Sequence, residues 1–128
     1  MGTYYKGGAK TYHSLRDNLP DVLKSYSISP DGFFGSIGKA GVKEIRQLDA
    51  NDVVEESKKF YDKLTFGGIE TKLPNGNGTR TELRDGTIIV YREITSTVNS
   101  PAVEINVRKS NGACNIAFQK IHFEKIGD

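Results

Sequence analysis

Cysteine and histidine are scarce in this sequence, which has one cysteine, Cys114, and two histidines, His13 and His122, among 128 residues. A single cysteine excludes an internal disulfide and leaves too few thiols for a zinc cluster, so a buried structural thiol is the ordinary interpretation of Cys114. Neither histidine stands at metal-ligand spacing from another histidine, a cysteine or a carboxylate. We therefore expect no metal site and no cofactor.

Long hydrophobic runs are also missing. The longest strongly apolar run is Ile-Ile-Val-Tyr at residues 88 to 91, whereas a helix needs about 20 apolar residues to span a bilayer. The N-terminus has no charged segment followed by an apolar one of the kind that directs secretion. We expect a chain that does not span a membrane and is not exported on its own.

Neither sign of charge dominates the sequence. Basic residues outnumber acidic ones six to three in residues 1 to 43, and acidic residues outnumber basic ones six to four in residues 44 to 63. A net charge of +2 does not announce a nucleic-acid partner, so any attraction to phosphate must be local. With 36% hydrophobic residues the chain can bury one compact core, and we predict a single domain over residues 1 to 128.

The first half of the sequence predicts helices. The surest one is capped by Asp49 or Asn51, carries an apolar stripe at helical spacing and ends at Gly67-Gly68. A shorter helix is predicted to start near Pro20, because proline suits a first helical position. Residues 39 to 48 are a third candidate helix.

The second half predicts an antiparallel sheet, because apolar and polar residues alternate and β-branched residues are frequent. Asp85-Gly86 predicts a two-residue hairpin turn of the primed type between the first two strands. We expect strands near residues 79–84, 87–94, 101–107 and 115–124.

The predicted turn determines which side chains of the first two strands share a face of the hairpin. Pairing across it puts Leu83 opposite Ile88, which places Arg92 on the apolar face of the hairpin. Two interpretations stay open. Either Arg92 lies beyond the covered core, where the face opens into a cleft, or the active face is the one that carries Arg80 and Tyr91.

The last predicted strand separates polar from apolar side chains. Lys120, His122 and Glu124 point to one side, and Ile121 and Phe123 point to the other. A solvated outer face is one interpretation. A catalytic face is the other, because a histidine flanked by opposite charges suits proton transfer near neutral pH.

The glycine-rich segment at residues 32 to 41 does not form a phosphate-binding loop. Gly32 and Gly38 are one residue too far apart, and Ala40 stands where a serine or threonine would bind magnesium. We interpret the segment as a flexible connection, although Lys39 could still contact a phosphate.

Four short pieces stand in order in the second half of the sequence: Asp85-Gly86-Thr87, Tyr91-Arg92, residues 100 to 105 and residues 120 to 123. Their order and spacing, over about residues 58 to 124, resemble the C-terminal toxin domains of bacterial contact-dependent growth inhibition and other polymorphic toxin systems. The resemblance is to ribonucleases of the barnase, EndoU, colicin and RelE types. It implies an α+β domain with N-terminal helices packed on a twisted antiparallel sheet of four or more strands. It also implies a metal-independent endoribonuclease, often acting on tRNA, that a cognate immunity protein silences.

Metal-free cleavage of RNA uses the 2′-hydroxyl as nucleophile. The reaction needs a base for that hydroxyl, an acid for the leaving 5′-oxygen and cations for the phosphorane. His122, Arg92 and Lys120 can supply the acid and the charge. His13, which has basic neighbours, is the reserve candidate if His122 has no role.

Further candidates come from the strand around residue 104 and from the segment after Arg92. Glu104 could act as the base or could orient His122, and an exposed polar position is the alternative. Arg92 is followed by hydroxyl side chains, a composition typical of anion binding and also of ordinary loops. Within that segment, Thr95 and Thr97 are the candidates for holding phosphate oxygens.

The expected partners and location follow from the resemblance. We expect an RNA substrate, with tRNA favoured, a cognate immunity protein, and in some settings a host activating factor. The domain is expected to be the C-terminal piece of a larger secreted or cell-surface protein and to act in the target-cell cytoplasm.

A non-catalytic RNA-binding or protein-binding α+β module remains the alternative. An enzyme should bring His122, Arg92 and a further polar group to one anion-sized site, whereas a binding module should disperse its cations along a groove.

Overall fold

The computed structural model describes residues 5–94, 100–110 and 115–126. Within these ranges the chain forms two α-helices and seven β-strands after a 3-10 turn at Lys6–Gly8. The helices are α1 (Leu15–Leu23) and α2 (Val53–Thr65). The strands are β1 (Ser36–Ile37), β2 (Ile45–Ala50), β3 (Ile69–Lys72), β4 (Gly78–Glu82), β5 (Ile88–Arg92), β6 (Ala102–Asn106) and β7 (Gln119–Lys125). The predicted α+β class is confirmed.

All seven strands join in one sheet, in the order β1-β2-β7-β6-β5-β4-β3. β2 and β7 run parallel, and the other neighbouring pairs are antiparallel. The four strands predicted from alternation correspond to β4, β5, β6 and β7, whereas β1, β2 and β3 were not part of the prediction. Because β2 pairs with β7, the strand that carries His122 lies inside the sheet and not at its edge.

The helix considered for residues 39 to 48 is wrong, because Ile45–Ala50 form β2 beside β7. Arg46 lies at the second position of this strand and is only 8% exposed. Its guanidinium donates hydrogen bonds to the carbonyl oxygens of Phe34 at 3.1 Å and Gly35 at 2.8 Å. Arg46 occupies a buried position of the strand, and backbone carbonyl oxygens satisfy its charge. A charged residue at a buried position interrupts the apolar alternation by which a strand is predicted.

Helix α1 starts at a capping box. Ser14 Oγ accepts a hydrogen bond from the Asp17 backbone N–H at 3.2 Å, and Asp17 Oδ2 accepts one from the Ser14 backbone N–H at 2.9 Å. The predicted start near Pro20 is therefore wrong, and Pro20 lies inside the helix.

Helix α2 begins at Asp52, whose side chain accepts a hydrogen bond from the Glu55 backbone N–H at 3.1 Å. The cap is thus Asp52 and not Asp49 or Asn51. The helix ends at Thr65, and Gly67 follows with a φ of +76°, which agrees with the predicted end. In the described ranges, neither helix has the length and apolar character that crossing a membrane requires.

Helix α2 packs on one face of the sheet, which we call the helix face. Phe60 of α2 is fully buried, and its ring lies 5.1 Å from that of Phe34 and 5.7 Å from that of Phe123. Strand residues of the same core cluster include Ile89, Tyr91, Val103, Ile105, Ile121 and Phe123. The opposite face, which we call the open face, carries Gln47, Val90, Arg92, Ala102, Glu104, Lys120 and His122.

The hairpin between β4 and β5 differs from the prediction by one residue. The Leu83 N–H donates to the Thr87 carbonyl at 2.9 Å and the Gly86 N–H donates to the Leu83 carbonyl at 3.0 Å, which makes a three-residue loop. Leu83 therefore lies opposite Thr87, and not opposite Ile88. A shift of one residue exchanges the faces of a strand, so Arg92 lies on the open face and both earlier interpretations of the apolar face are replaced.

Candidate functional site

Four of the candidate residues lie together on the open face. Lys120 and His122 belong to β7, Glu104 to β6 and Arg92 to β5, which are three neighbouring strands. Glu104 is paired with Lys120, and Ala102 is paired with His122 on one side and with Arg92 on the other. Directly paired residues point to the same face. We call these four candidate residues the polar cluster.

Ala102 separates the two side chains that the chemistry needs most. Neighbouring strands are about 4.8 Å apart, so the Cα atoms of His122 and Arg92 are roughly 10 Å apart across Ala102. Ala102 is buried and contributes only a methyl group to this row. His122 and Arg92 therefore lie on either side of Ala102, and Glu104 is the next residue of that strand on the same face.

Arg92 and Glu104 form a loose ion pair. Arg92 Nη1 lies 3.7 Å from Glu104 Oε1, and the two side chains are 36% and 25% exposed. This separation exceeds a hydrogen-bond distance, so among the described residues the guanidinium makes an ion pair without a hydrogen bond. Glu104 has a second cation as its register neighbour, because Lys120 is paired with it.

His122 is half-buried and chemically unsatisfied. Its Nδ1 is buried and finds no hydrogen-bond partner among the described residues, a situation that is uncommon in native proteins and costs about 1–3 kcal/mol. Burial lowers the pKa of His122 from its ordinary value of 6.5, Lys120 lowers the pKa further, and Glu124 opposes the change. The imidazole is therefore mostly neutral at pH 7 in the free protein.

A cavity of about 350 Å³ opens beside His122, on the side away from Arg92. It lies between β7, β2 and the loop that joins β1 to β2. The side chains that line it are Lys39, Ala40, Ile45, Arg46, Gln47, Lys120, His122 and Glu124. The sequence named Lys39 only as a possible phosphate contact and did not indicate Gln47, because residues 39 to 48 were considered as a helix.

The segment after Arg92 lies partly outside the described residues. Thr95 and Thr97, the candidates for phosphate contacts, fall in the range 95–99 that is not described. Ser100 is described, and its buried Oγ finds no hydrogen-bond partner in the described part of the chain. Ser100 lies two residues before Ala102. Side chains two residues apart in an extended chain point to the same side, so this spacing places Ser100 on the side of the open face.

His13 lies apart from the polar cluster. Its Nδ1 is 2.9 Å from Asn18 Oδ1, and its ring packs edge-on against Phe66 at 5.1 Å. Asn18 in turn donates to the carbonyl oxygens of Leu64 and Phe66 at the end of α2. His13 therefore belongs to a network that fastens α1 to the end of α2.

A larger cavity, of about 420 Å³, lies on the helix side between α2 and the β3–β4 hairpin. Two of its lining carboxylates, Asp62 and Glu70, are paired with Lys6. Lys6 Nζ lies 2.9 Å from Asp62 and 2.8 Å from Glu70, and it sits over the ring of Tyr61. We interpret these ion pairs as contacts that hold the N-terminal 3-10 turn against α2 and β3, and not as a reaction site.

Within the described ranges, no three histidine, cysteine, aspartate or glutamate side chains are grouped so that they could hold a metal ion. No protein-family model matches the sequence, and neither a curated protein nor a solved structure matches it. The functional assignment therefore depends on the geometry of the open face.

Proposed function

We propose that the protein is a metal-independent endoribonuclease that uses the 2′-hydroxyl of its substrate as nucleophile. The observation that supports this best is the polar cluster: an imidazole, a carboxylate and two cations lie on one face of the neighbouring strands β5, β6 and β7, and Arg92 and Glu104 are 3.7 Å apart. Groups of these types on one small area are the arrangement expected of an enzyme, whereas a binding module would disperse them.

The reaction that fits these groups is a transesterification. Glu104 takes the proton of the 2′-hydroxyl as the 2′-oxygen forms a bond to phosphorus. The bond from phosphorus to the 5′-oxygen breaks, and His122 gives its proton to that oxygen. Arg92 and Lys120 stabilise the phosphorane charge. The products are a 2′,3′-cyclic phosphate and a 5′-hydroxyl.

The roles of Glu104 and His122 follow from their surroundings. Glu104 lies between the cations Arg92 and Lys120, and its carboxylate oxygens are acceptors that can take a proton. His122 lies on the same face, and its buried Nδ1 has no hydrogen-bond partner among the described residues. A bound phosphate would place negative charge next to the imidazole and favour its protonated form, which is the form a general acid needs.

The resemblance of residues 58 to 124 to bacterial toxin domains extends the proposal to a biological role. We propose that tRNA is the substrate, that the domain is the toxic part of a larger delivered protein, and that it acts in the target-cell cytoplasm. An acidic immunity protein that covers Arg92 and His122 would neutralise it, because the cations of the open face offer such a partner complementary charge.

The test is incubation of the purified protein with total tRNA in the presence of a chelator. We expect fragments that end in a 2′,3′-cyclic phosphate, and we expect His122→Ala to lower the rate by roughly 10²–10⁴-fold while the fold survives. His13→Ala is the matched control, because His13 packs against Asn18 and Phe66. Its folded fraction should cleave at the wild-type rate.

Three outcomes would contradict the proposal. Wild-type rates for His122→Ala would remove this histidine from the mechanism. A requirement for a metal ion would contradict the 2′-hydroxyl scheme. Tight RNA binding without cleavage would favour the non-catalytic binding module.

A further inference from the structure

The cavity beside His122 shares His122 and Lys120 with the cleavage scheme, and the scheme gives no role to its other lining residues. In the register, Gln47 is paired with His122 and Ile45 with Lys120, so the cavity floor continues the open face onto β2. The loop that joins β1 to β2 forms its wall through Lys39 and Ala40. Its volume of about 350 Å³ lies in the lower part of the range of about 300–1,000 Å³ for small-molecule sites, which suits one nucleobase with part of its sugar.

The walls of this cavity combine apolar surface, hydrogen-bond acceptors and the cationic side chains of Lys39, Arg46 and Lys120. Ile45 and Ala40 supply apolar atoms for the face of a ring, and the Glu124 carboxylate supplies two acceptor oxygens. Gln47 Nε2 donates to Asp49 Oδ1 at 2.9 Å, which fixes the amide and leaves its oxygen free to accept. Single-stranded RNA is recognised in this way, by a base turned out of its stack onto a small platform and held at its edge.

The position of the cavity decides which base it can hold. In an in-line displacement the attacking and leaving oxygens lie on opposite sides of the phosphorus. Across the sheet the order is cavity, His122, Ala102 and Glu104 of the next strand, and then Arg92. The 2′-oxygen lies on the Glu104 side, so the leaving 5′-oxygen and its nucleotide lie on the His122 side. We infer that the cavity is a subsite for the base of the nucleotide immediately 3′ to the cut, an inference that rests on the proposed function.

The acceptors predict which bases enter. Adenine, cytosine and guanine each present an exocyclic amino group that can donate to Glu124. Uracil presents its N–H between two carbonyl oxygens, and a carboxylate repels those oxygens. Lys39 and Lys120 also line the cavity and can donate to carbonyl oxygens, so a preference for an exocyclic amine over uracil depends on Glu124.

The probe is a DNA oligonucleotide that contains a single ribonucleotide, because cleavage by a 2′-hydroxyl can occur only at that position. The deoxynucleotide 3′ to it is deoxyadenosine in one oligonucleotide and deoxyuridine in the other. We expect the wild-type protein to cleave the deoxyadenosine form roughly tenfold faster or more. Glu124→Gln should reduce this preference, because an amide can also donate to a carbonyl oxygen. Glu82→Gln is the matched control, since Glu82 lies on β4 away from the cavity.

A second pair of variants tests whether cleavage depends on the volume of the cavity. Ala40→Leu should fill part of the cavity and slow cleavage of both oligonucleotides by roughly tenfold. Val42→Leu is the matched control, because Val42 belongs to the same loop, is 46% exposed and does not line the cavity. Hydrolysis of a nucleoside 2′,3′-cyclic phosphate, which we expect the same site to catalyse, involves no downstream nucleotide, so Ala40→Leu should leave its rate unchanged.

The outcomes separate this inference from the proposed function. If the wild-type protein cleaves both oligonucleotides equally and the cavity variants behave like their controls, the subsite is wrong while the ribonuclease proposal stands. If the variants slow cyclic phosphate hydrolysis as much as cleavage, the cavity holds the upstream nucleotide and the inference is overturned. Failure of the wild-type protein to cleave any ribose-containing oligonucleotide would contradict the proposed function, and the subsite with it.

Discussion

His122 combines a half-buried ring, an unpartnered Nδ1 and a neighbouring cation, and these features set its pH behaviour. Burial and Lys120 hold the pKa of His122 below 6.5 in the free protein. A general acid must be protonated before it reacts, and kcat/KM reports the pKa of the free enzyme. Proton donation by His122 is thus favoured on the acidic side of its pKa.

We expect kcat/KM for RNA cleavage to fall as the pH rises through a value below 6.5, because the acid form of His122 is then lost. The measurement is a pH–rate profile of the single-ribonucleotide substrate in chelator. A rate that instead increases through the same pKa would make His122 the base, and the roles of His122 and Glu104 would have to be exchanged.

For single elements, the sequence predicted where the strands lie better than it predicted which face of the sheet each side chain occupies. Alternation correctly placed Lys120, His122 and Glu124 on one face of β7 and Glu104 opposite its neighbours on β6. The β4–β5 loop was misjudged by one residue, because Asp-Gly suits a two-residue primed turn and also a three-residue loop with glycine in the left-handed region. Loop length depends on how Leu83 packs in the core, where it is 1% exposed, and local sequence does not report that packing.

Gly86 tests the importance of that loop for stability. It has a φ of +94°, and a Cβ atom there would lie 2.4 Å from the Lys109 carbonyl oxygen. Gly86→Ala should therefore lower the free energy of unfolding through both backbone strain and a backbone clash, by about 2–4 kcal/mol in total.

Gly41→Ala is the matched control for this substitution. Gly41 has a φ of +73°, and nothing lies within 4 Å of a Cβ built there, so only the backbone cost of about 1–2 kcal/mol applies. The measurement is urea unfolding of both variants and the wild-type protein. Equal losses for the two variants would show that the Lys109 contact relaxes without cost and that the loop is not tightly constrained.

The whole molecule depends on a pairing that local sequence could not reveal. β2 joins β7 in parallel, with Ile45 beside Lys120 and Gln47 beside His122. The chain separates these partners by about 75 residues, and a parallel neighbour requires no turn signature between them. The fold class and the shared face of Lys120, His122 and Glu124 were therefore predictable from alternation, whereas the face of Arg92 and the cavity beside His122 required the structure.

Protonation of His122, which we propose makes it a general acid, should also lower the free energy of unfolding. Because the pKa of His122 is lowered in the folded protein, the folded state binds this proton less well than the unfolded state does. The contribution of His122 to the free energy of unfolding is therefore present above pH 6.5 and is lost as the pH falls through the folded-state pKa. Asp17 and Asp31, whose pKa values are lowered from 3.8, lose their contributions only at more acidic pH.

We expect the wild-type protein to lose stability more steeply than His122→Gln when the pH is lowered from about 7 to about 5. Glutamine keeps a polar side chain of similar length and does not titrate, so the difference between the two slopes isolates the imidazole. The measurement is the free energy of unfolding in urea at both pH values for both proteins. Parallel slopes would mean that His122 has the same proton affinity in the folded and unfolded states, which would contradict its desolvated environment. Suppose the wild-type slope is steeper and cleavage accelerates over the same interval. Protonation of His122 would then lower the free energy of unfolding at the pH where it supplies the acid for cleavage.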